Sequence, residues 1–596
     1  LIPAIERLGR SEVVEISARS SDLEWGRRRP EYSIFWWPGR RLVGGVRAVL
    51  AALSVPDPGV VVDAVDGRGF EKIRSYTSGK LIVDPFSGGG TIPLEASRMG
   101  YKAIGLDSNP YAVSVAKASS TLLDGRCRGK AVCLLEAAQR AWRKVSSLWC
   151  GDWFCIIHIL LARCPPCEAP AWVSRWRNGS YLVLDEGGLK TVSGIRVTPN
   201  KPRVSLPEGL PEEAPGYVAY AAEVLTPKGR RWVYLGDGKL GEMVAKYLRS
   251  TLPAARSLTE ALSGFPVPPG KETSKLLASG ISDFKYLYTP RQLATISAFL
   301  GEAAQADCSL EAACIAGSSS RAASLLAMYY QPARRVNLAF VLKTYWLPIN
   351  PVELNPLANT CMPETPRIHC KPVGRGGIWG LIKRYIRGCG ESGSSPEFRV
   401  WDSHRGLPEG IRPYAVVTDP PYPGMQSYGQ LSLVYSLPHV LSGLPAPHSW
   451  SEIDSMSRSY VEDLSRALSA SGSLVESGGY MVLLLSSGTN RGATIIARLV
   501  YSLANDSLKL VTILPLAGES PGRLGRSLNK VVYVVVFKRG TPYSRNPLKP
   551  LEWTAEVAEA AGYGPKEASV SREIASILAS KLEDLLETSS QCCRQY

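Results

Sequence analysis

Apolar residues along this chain come in two rhythms. Short unbroken runs at Leu81–Asp84 (LIVD), Lys102–Asp107 (KAIGLD), residues 414–418 (YAVVT) and Tyr480–Ser486 (YMVLLLS) read as strands buried on both faces. Residues 398–401, 508–514 and 530–537 (KVVYVVVF) add further strands. Helical spacing separates them over residues 91–99, 110–123, 452–468 and 494–503, and an earlier helix is predicted to begin near Pro38 within residues 36–53. Strand and helix alternating in this way predict an α/β fold on an open parallel sheet. The alternation stops from Gly125 to about Arg335, where a Cys- and Trp-bearing stretch and a Pro/Gly-rich stretch precede helical runs at 290–302 and 310–330. One α/β domain interrupted by an insert of a little over 200 residues is the economical reading. Residues 565–587 read as a C-terminal amphipathic helix, and no repeat of fixed period is visible.

Composition narrows the class. With 596 residues, 45% apolar and 20% charged, the chain exceeds what one core fills, since single cores stop growing near about 250–300 residues. No run approaches the ~20 apolar residues of a membrane span, and residues 1–10 lack the basic-then-apolar pattern of a secretory leader, so a cytoplasmic location without membrane partners is expected. Thirteen Cys in a chain this long read as reduced thiols or metal ligands, and five His argue against multi-His metal chemistry. The net charge of +16 is clustered. Residues 25–47 hold six Arg and one Glu, residues 366–389 six cations and no acid, and residues 521–549 seven and none. Such clustering suits a polyanion, and a single basic rim beside an active site is the expectation.

Two loops carry the candidate chemistry. Asp84-Pro85-Phe86-Ser87-Gly88-Gly89-Gly90-Thr91 follows a strand and opens a helix, so its backbone can approach a ligand closely. Asp107, 19 residues past Gly88 at the end of the next strand, is placed to accept ribose hydroxyls. No Lys-Ser/Thr follows the glycines and no third Gly stands three residues on, which excludes a phosphate-cradling loop and disfavours a dinucleotide. S-adenosylmethionine fits better. Directly after YAVVT stands Asp419-Pro420-Pro421-Tyr422. The prolines stiffen the backbone and remove N–H donors, leaving a carboxylate and carbonyls as acceptors for an exocyclic amine, with an aromatic face for a flat base.

These motifs, in this order, resemble the amino-methyltransferases of nucleic acids. With Trp36-Trp37-Pro38-Gly39-Arg40-Arg41, Leu106-Asp107-Ser108-Asn109-Pro110, Cys164-Pro165-Pro166-Cys167, Thr289-Pro290-Arg291-Gln292-Leu293 and Glu353-Leu354-Asn355-Pro356, the chain resembles the archaeal and bacterial zinc-ribbon-containing, adenine-specific DNA methylases in patches from about residue 30 to 540. The resemblance implies a Rossmann-like methyltransferase sheet with a large insert, S-adenosylmethionine as donor, and a flipped-out base in DNA, adenine N6 or cytosine N4, as acceptor. It assigns Asp84, Pro85, Phe86, Gly88, Gly90, Asp107 and Asp402 to the cofactor and Asp419, Pro420, Pro421 and Tyr422 to catalysis. Asp402 reads equally as a turn cap. RNA, through guanine-N2 transfer, and a catalytically silent nucleic-acid-binding protein are the alternatives, and restriction or defence proteins are candidate partners.

The chain also departs from the family. After Cys164 and Cys167 the next Cys is Cys308, so a second ribbon pair is missing and zinc would need other ligands, with Cys150 and Cys155 as the nearest. Pro423-Gly424-Met425 stands where the family usually has another aromatic and an acid. The expected plan is a basic, aromatic leader (1–80) packing on the catalytic domain, a first catalytic half (81–124), the insert (125–335), a second half (336–540) and a helical extension (541–596).

Overall fold

The computed structural model describes residues 2–26, 31–38, 42–170, 172–175, 181–185, 188–192, 203–320, 322–330, 337–339, 345, 347–348, 350–357, 377–390, 395–422, 427–446, 453, 457–505, 507–518, 531–541 and 546–592. The chain falls into two compact units. The first comprises Leu1–Gly125, Cys389–Gly429 and Pro447–Tyr596, the second Arg126–Gly388 and Gln430–Ala446.

In the first unit seven strands form one sheet: β1 (Leu81–Asp84), β2 (Lys102–Asp107), β3 (Glu397–Val400), β4 (Ala415–Thr418), β5 (Tyr480–Ser486), β6 (Leu508–Ala517) and β7 (Val531–Arg539). Their spatial order is 3-2-1-4-5-7-6. Pairings from β3 through β5 are parallel, and β7 lies antiparallel between β5 and β6. This is the doubly wound, Rossmann-like arrangement, in which the strand order reverses between β1 and β4. Every residue of β5 and β4 is buried, which explains why these strands read as unbroken apolar runs.

The leader is helical, with Arg10–Gly26, Val43–Ala52, Pro58–Val65 and Phe70–Thr77. It is tied to the Thr91–Arg98 helix by a buried ion pair, Arg47 Nε to Glu95 Oε2 at 2.7 Å, with Tyr32 Oη donating to Glu95 Oε1 at 2.5 Å and Arg98 at 3.0 Å. Burial pushes the Glu95 carboxyl up, yet Arg98, Arg47 and Tyr32 together hold it at about 2. Lys538 and Tyr480 both donate to Glu6, fixing the start of the leader to β5 and β7.

The second unit holds an antiparallel sheet in the order Gly229–Tyr234, Tyr217–Thr226, Cys155–Arg163, Val352–Leu354, with Glu212–Ala214 pairing on Tyr217–Thr226. Helices include Cys127–Val145, Lys239–Glu260, Pro290–Ala304, Ser309–Ser319 and Ile378–Gly388. The sequence reading missed this sheet. Several other boundaries move. The helix expected from Pro38 starts at Val43, the one expected at 452 starts at Tyr460, and the helical run from 310 ends at Ser319, with a short strand at Met328–Tyr330. Residues 336–388, read as part of the second catalytic half, belong to the second unit. No helix among the described residues is long and apolar enough to cross a membrane.

Candidate active site

β1 and β4 are neighbours with Val83 beside Val416, so two motifs 335 residues apart in the chain leave the sheet at the same carboxyl edge. That edge, at the reversal of strand order, is where open α/β sheets take ligands.

Asp84 ends β1 and is buried. Its Oδ1 accepts from the Phe86 N–H at 3.1 Å and from Thr418 Oγ1 at 2.6 Å. Burial pushes its carboxyl up to about 8; the two hydrogen bonds oppose this, and the charges of Asp419 and Asp107 add to it. The three carboxylates therefore share one electrostatic neighbourhood. Asp107, at the end of β2, accepts from the Gly88 N–H at 2.8 Å through Oδ2 and from the Asn109 N–H at 2.9 Å through Oδ1. These bonds stand its carboxylate across the Gly-rich turn.

The turn needs its glycines at two places. Gly88 has φ +48°, and a Cβ there would lie 2.6 Å from Trp37 Nε1. Gly90 has φ +81°, and its Cβ would meet Ala116 at 2.8 Å and Phe398 of β3 at 2.9 Å. Both features exclude larger residues. Pro85 is buried and its carbonyl accepts from Ser403 Oγ at 2.5 Å, while Phe86 is half-buried. Ser87 Oγ, in the same turn, is buried without a hydrogen-bond partner.

Val400 pairs with Asp107, which places Asp402 just beyond the same sheet edge. There Asp402 caps the Ser403–Arg405 turn, accepting from the His404 N–H at 3.0 Å. The capping role is thus visible, and the edge position also suits the cofactor role.

Beyond β4, Asp419 and Pro421 are half-buried and Pro420 is buried. Tyr422 is 5% exposed and its hydroxyl donates to Asp419 Oδ1. In place of an open stacking face, the structure shows a ring that orients the carboxylate. The Pro421 carbonyl accepts from Tyr460 Oη at 2.5 Å. Pro423, Gly424 and Met425 lie outside the described residues, as do residues 27–30, 39–41, 366–376, 521–530 and 542–545, which carry much of the three basic windows.

Sequence reasoning did not find Tyr460, Thr418 or Ser403, nor the contact of Trp37 with Gly88. Thr418 had a signal, as the polar last residue of an otherwise apolar strand. The others depend on tertiary contacts.

The metal reading is corrected. Cys164 is bonded to Cys167, Cys150 to Cys155 and Cys133 to Cys308, so these are disulfides and not reduced thiols or free thiolates. Cys155 opens and Cys164 directly follows the nine-residue strand Cys155–Arg163. At about 3.3 Å per residue its ends stand roughly 30 Å apart, too far to share one ion. No cluster of three or more His, Cys, Asp or Glu suited to a metal ion occurs among the described residues. The residues present do not fit the ribbon zinc.

Two of the patches that carry the resemblance, residues 289–293 and 353–356, form one buried lock inside the second unit. Thr289 Oγ1 donates to Glu353 Oε1 at 2.6 Å, and Gln292 Nε2 donates to the Leu354 carbonyl at 3.2 Å. Arg291 is fully buried against Glu213.

A family model described as RMKL-like, methyltransferase domain, matches residues 68–156, which include the Gly-rich turn and Asp107. No curated protein matches the chain, and no solved structure matches it. The chain carries a methyltransferase domain, on a Rossmann-like sheet, and such a domain implies transferase activity with S-adenosylmethionine.

Proposed function

We propose that the protein methylates an exocyclic amino group of a base in DNA, with adenine N6 as the acceptor. The observation that carries this reading is the placement of Asp84, Asp107 and Asp419 on one sheet edge. S-adenosylmethionine, when bound, supplies an electrophilic methyl group on a cationic sulfur. The donor set suits it. The Asp107 and Asp419 carboxylates favour a cation, Asp107 stands where ribose hydroxyls bind, and Ser87 Oγ offers an unpartnered polar atom.

Asp419 accepts a hydrogen bond from the acceptor amine, which holds the nitrogen lone pair toward the methyl group. Tyr422 positions Asp419 from one side, and Tyr460 fixes the loop through the Pro421 carbonyl. The N–C bond forms as the S–C bond breaks, and the amine proton leaves to solvent. Stacking of a base on Tyr422 requires the loop to open, since the ring is buried. Flipping the base out of a duplex costs a few kcal/mol. The test is incubation with labelled S-adenosylmethionine and either duplex DNA or transfer RNA, followed by mass spectrometry of the nucleosides. Labelled N6-methyldeoxyadenosine is expected; label in N2-methylguanosine moves the substrate to RNA, and label in neither overturns the reading.

A further inference from the structure

Charge divides unevenly between the two units. Arg126–Gly388 and Gln430–Ala446 contain 34 Lys and Arg against 19 Asp and Glu, a formal +15; the other 316 residues contain 35 against 34, or +1. Nearly the whole excess of the chain belongs to the second unit.

Burial widens the gap. Among the described residues of that unit, six carboxylates are buried, Glu213, Glu223, Glu272, Glu302, Glu311 and Glu353, against one cation, Arg291. Most are used internally. Glu213 faces Arg291, Glu223 bonds His158 at 2.7 Å, Glu302 takes Arg140 and Lys144, and Glu353 takes Thr289. Burial also pushes Glu311 and Glu353 up, toward their neutral forms. Six acids of this unit thus lie inward against one cation, while others, such as Glu136, Glu208, Glu242 and Asp307, are exposed; discounting the buried groups leaves a balance more positive than the net count.

The Ile378–Gly388 helix concentrates this pattern. Its sequence, IWGLIKRYIRG, holds three cations and no acid. Ile378, Trp379, Leu381, Ile382 and Tyr385 are buried, whereas Lys383 and Arg384 are half-buried and Arg387 is exposed. Spacing of i, i+1 and i+4 sets the three cations on the face opposite the apolar stripe.

We propose that the Lys383, Arg384 and Arg387 face of the second unit binds the phosphate backbone of duplex DNA. The choice of DNA rests on the proposed methyltransferase reading; the basic face itself does not. Each phosphate neutralised adds about 0.9 to the slope of log affinity against log salt. Arg387 and its neighbours therefore leave a countable signature.

The experiment measures binding of the full chain to a duplex of about 30 base pairs by fluorescence anisotropy, from about 50 to 200 mM salt. Substituting K383Q, R384Q and R387Q together is expected to reduce the slope by about 2 to 3, so that the loss of affinity over this range is up to about 40-fold smaller. The charge-preserving set K383R, R384K and R387K is expected to keep the slope. So is K566Q with R572Q and K581Q, on the exposed face of the Pro565–Cys592 helix in the first unit. If the triple glutamine variant fails to fold, R387Q alone is expected to lower the slope by about 0.9. An unchanged slope in the glutamine variant overturns the proposal. Equal binding to polyglutamate, or tighter binding to duplex RNA than to DNA, overturns it as well. Methyl transfer to DNA is read in parallel: transfer with an unchanged slope sinks only this inference, and a slope change without transfer sinks only the methyltransferase reading.

Discussion

The first unit gathers three carboxyl groups at one edge of a largely parallel sheet, whereas the second, among its described residues, buries six carboxyl groups against one cation around an antiparallel one. The charges of Asp107 and Asp419 raise the proton affinity of the buried Asp84, an arrangement that costs stability and suits a cationic donor. Chemistry and polyanion binding, which a single net charge of +16 merges, separate once the residues are sorted by unit.

The largest expected effects test whether each unit has its own core. Among the described residues each holds a fully buried ion pair, Arg47–Glu95 in the first and Arg291–Glu213 in the second. Removing Arg291 strands the buried Glu213, so R291M is expected to cost about 3–5 kcal/mol, whereas R47M leaves Glu95 to Arg98 and Tyr32 and is expected to cost about 1–3 kcal/mol. In calorimetry R47M is expected to lower one transition and R291M another; a common shift of one transition would erase the distinction. Next in size is the Cys133–Cys308 bond, which spans 175 residues within the second unit. Its reduction, or the C133S variant, is expected to lower only the second unit's transition, by about 2–4 kcal/mol.

How much of this was legible in the sequence follows the same division. Strands of the first unit are short apolar runs that end in recognisable loops, so LIVD, KAIGLD and YAVVT located the sheet and its functional edge. Cys155–Arg163 is also almost wholly buried and shows no alternation, but nothing in its neighbourhood marks it as a strand. Its partners begin at Tyr217 and Val352, and the latter strand is three residues long. The site's supports were hidden for a related reason. Trp37 against Gly88, and Tyr460 on Pro421, are contacts between segments whose sequences give no hint of one another.

Smaller effects probe the first unit's edge. G88A places a methyl group against Trp37 at a positive φ, and about 1–3 kcal/mol of strain is expected to weaken donor binding about 10- to 100-fold by calorimetric titration. The pH dependence is subtler. Asp84 is held near 8 in the fold against about 3.9 unfolded, so the folded state keeps a proton that the unfolded chain has lost. Its contribution to stability is complete below about pH 4 and is lost as pH rises through about 8, by up to about 1.4 kcal/mol per unit. Glu95, held at about 2, acts oppositely: its contribution is present above about pH 4.3 and is lost on acidification. Denaturant titrations of D84N between pH 5 and 8 are expected to lack the decline of the parent chain; an unchanged decline would assign it to other groups.

Whether Asp419 acts on the acceptor amine or merely holds the cofactor is decided by D419A under single-turnover conditions with labelled S-adenosylmethionine and DNA. Transfer is expected to fall about a thousandfold or more while donor affinity stays within a few-fold of the parent. Transfer at the parental rate, or its loss together with donor binding, would contradict a role on the amine.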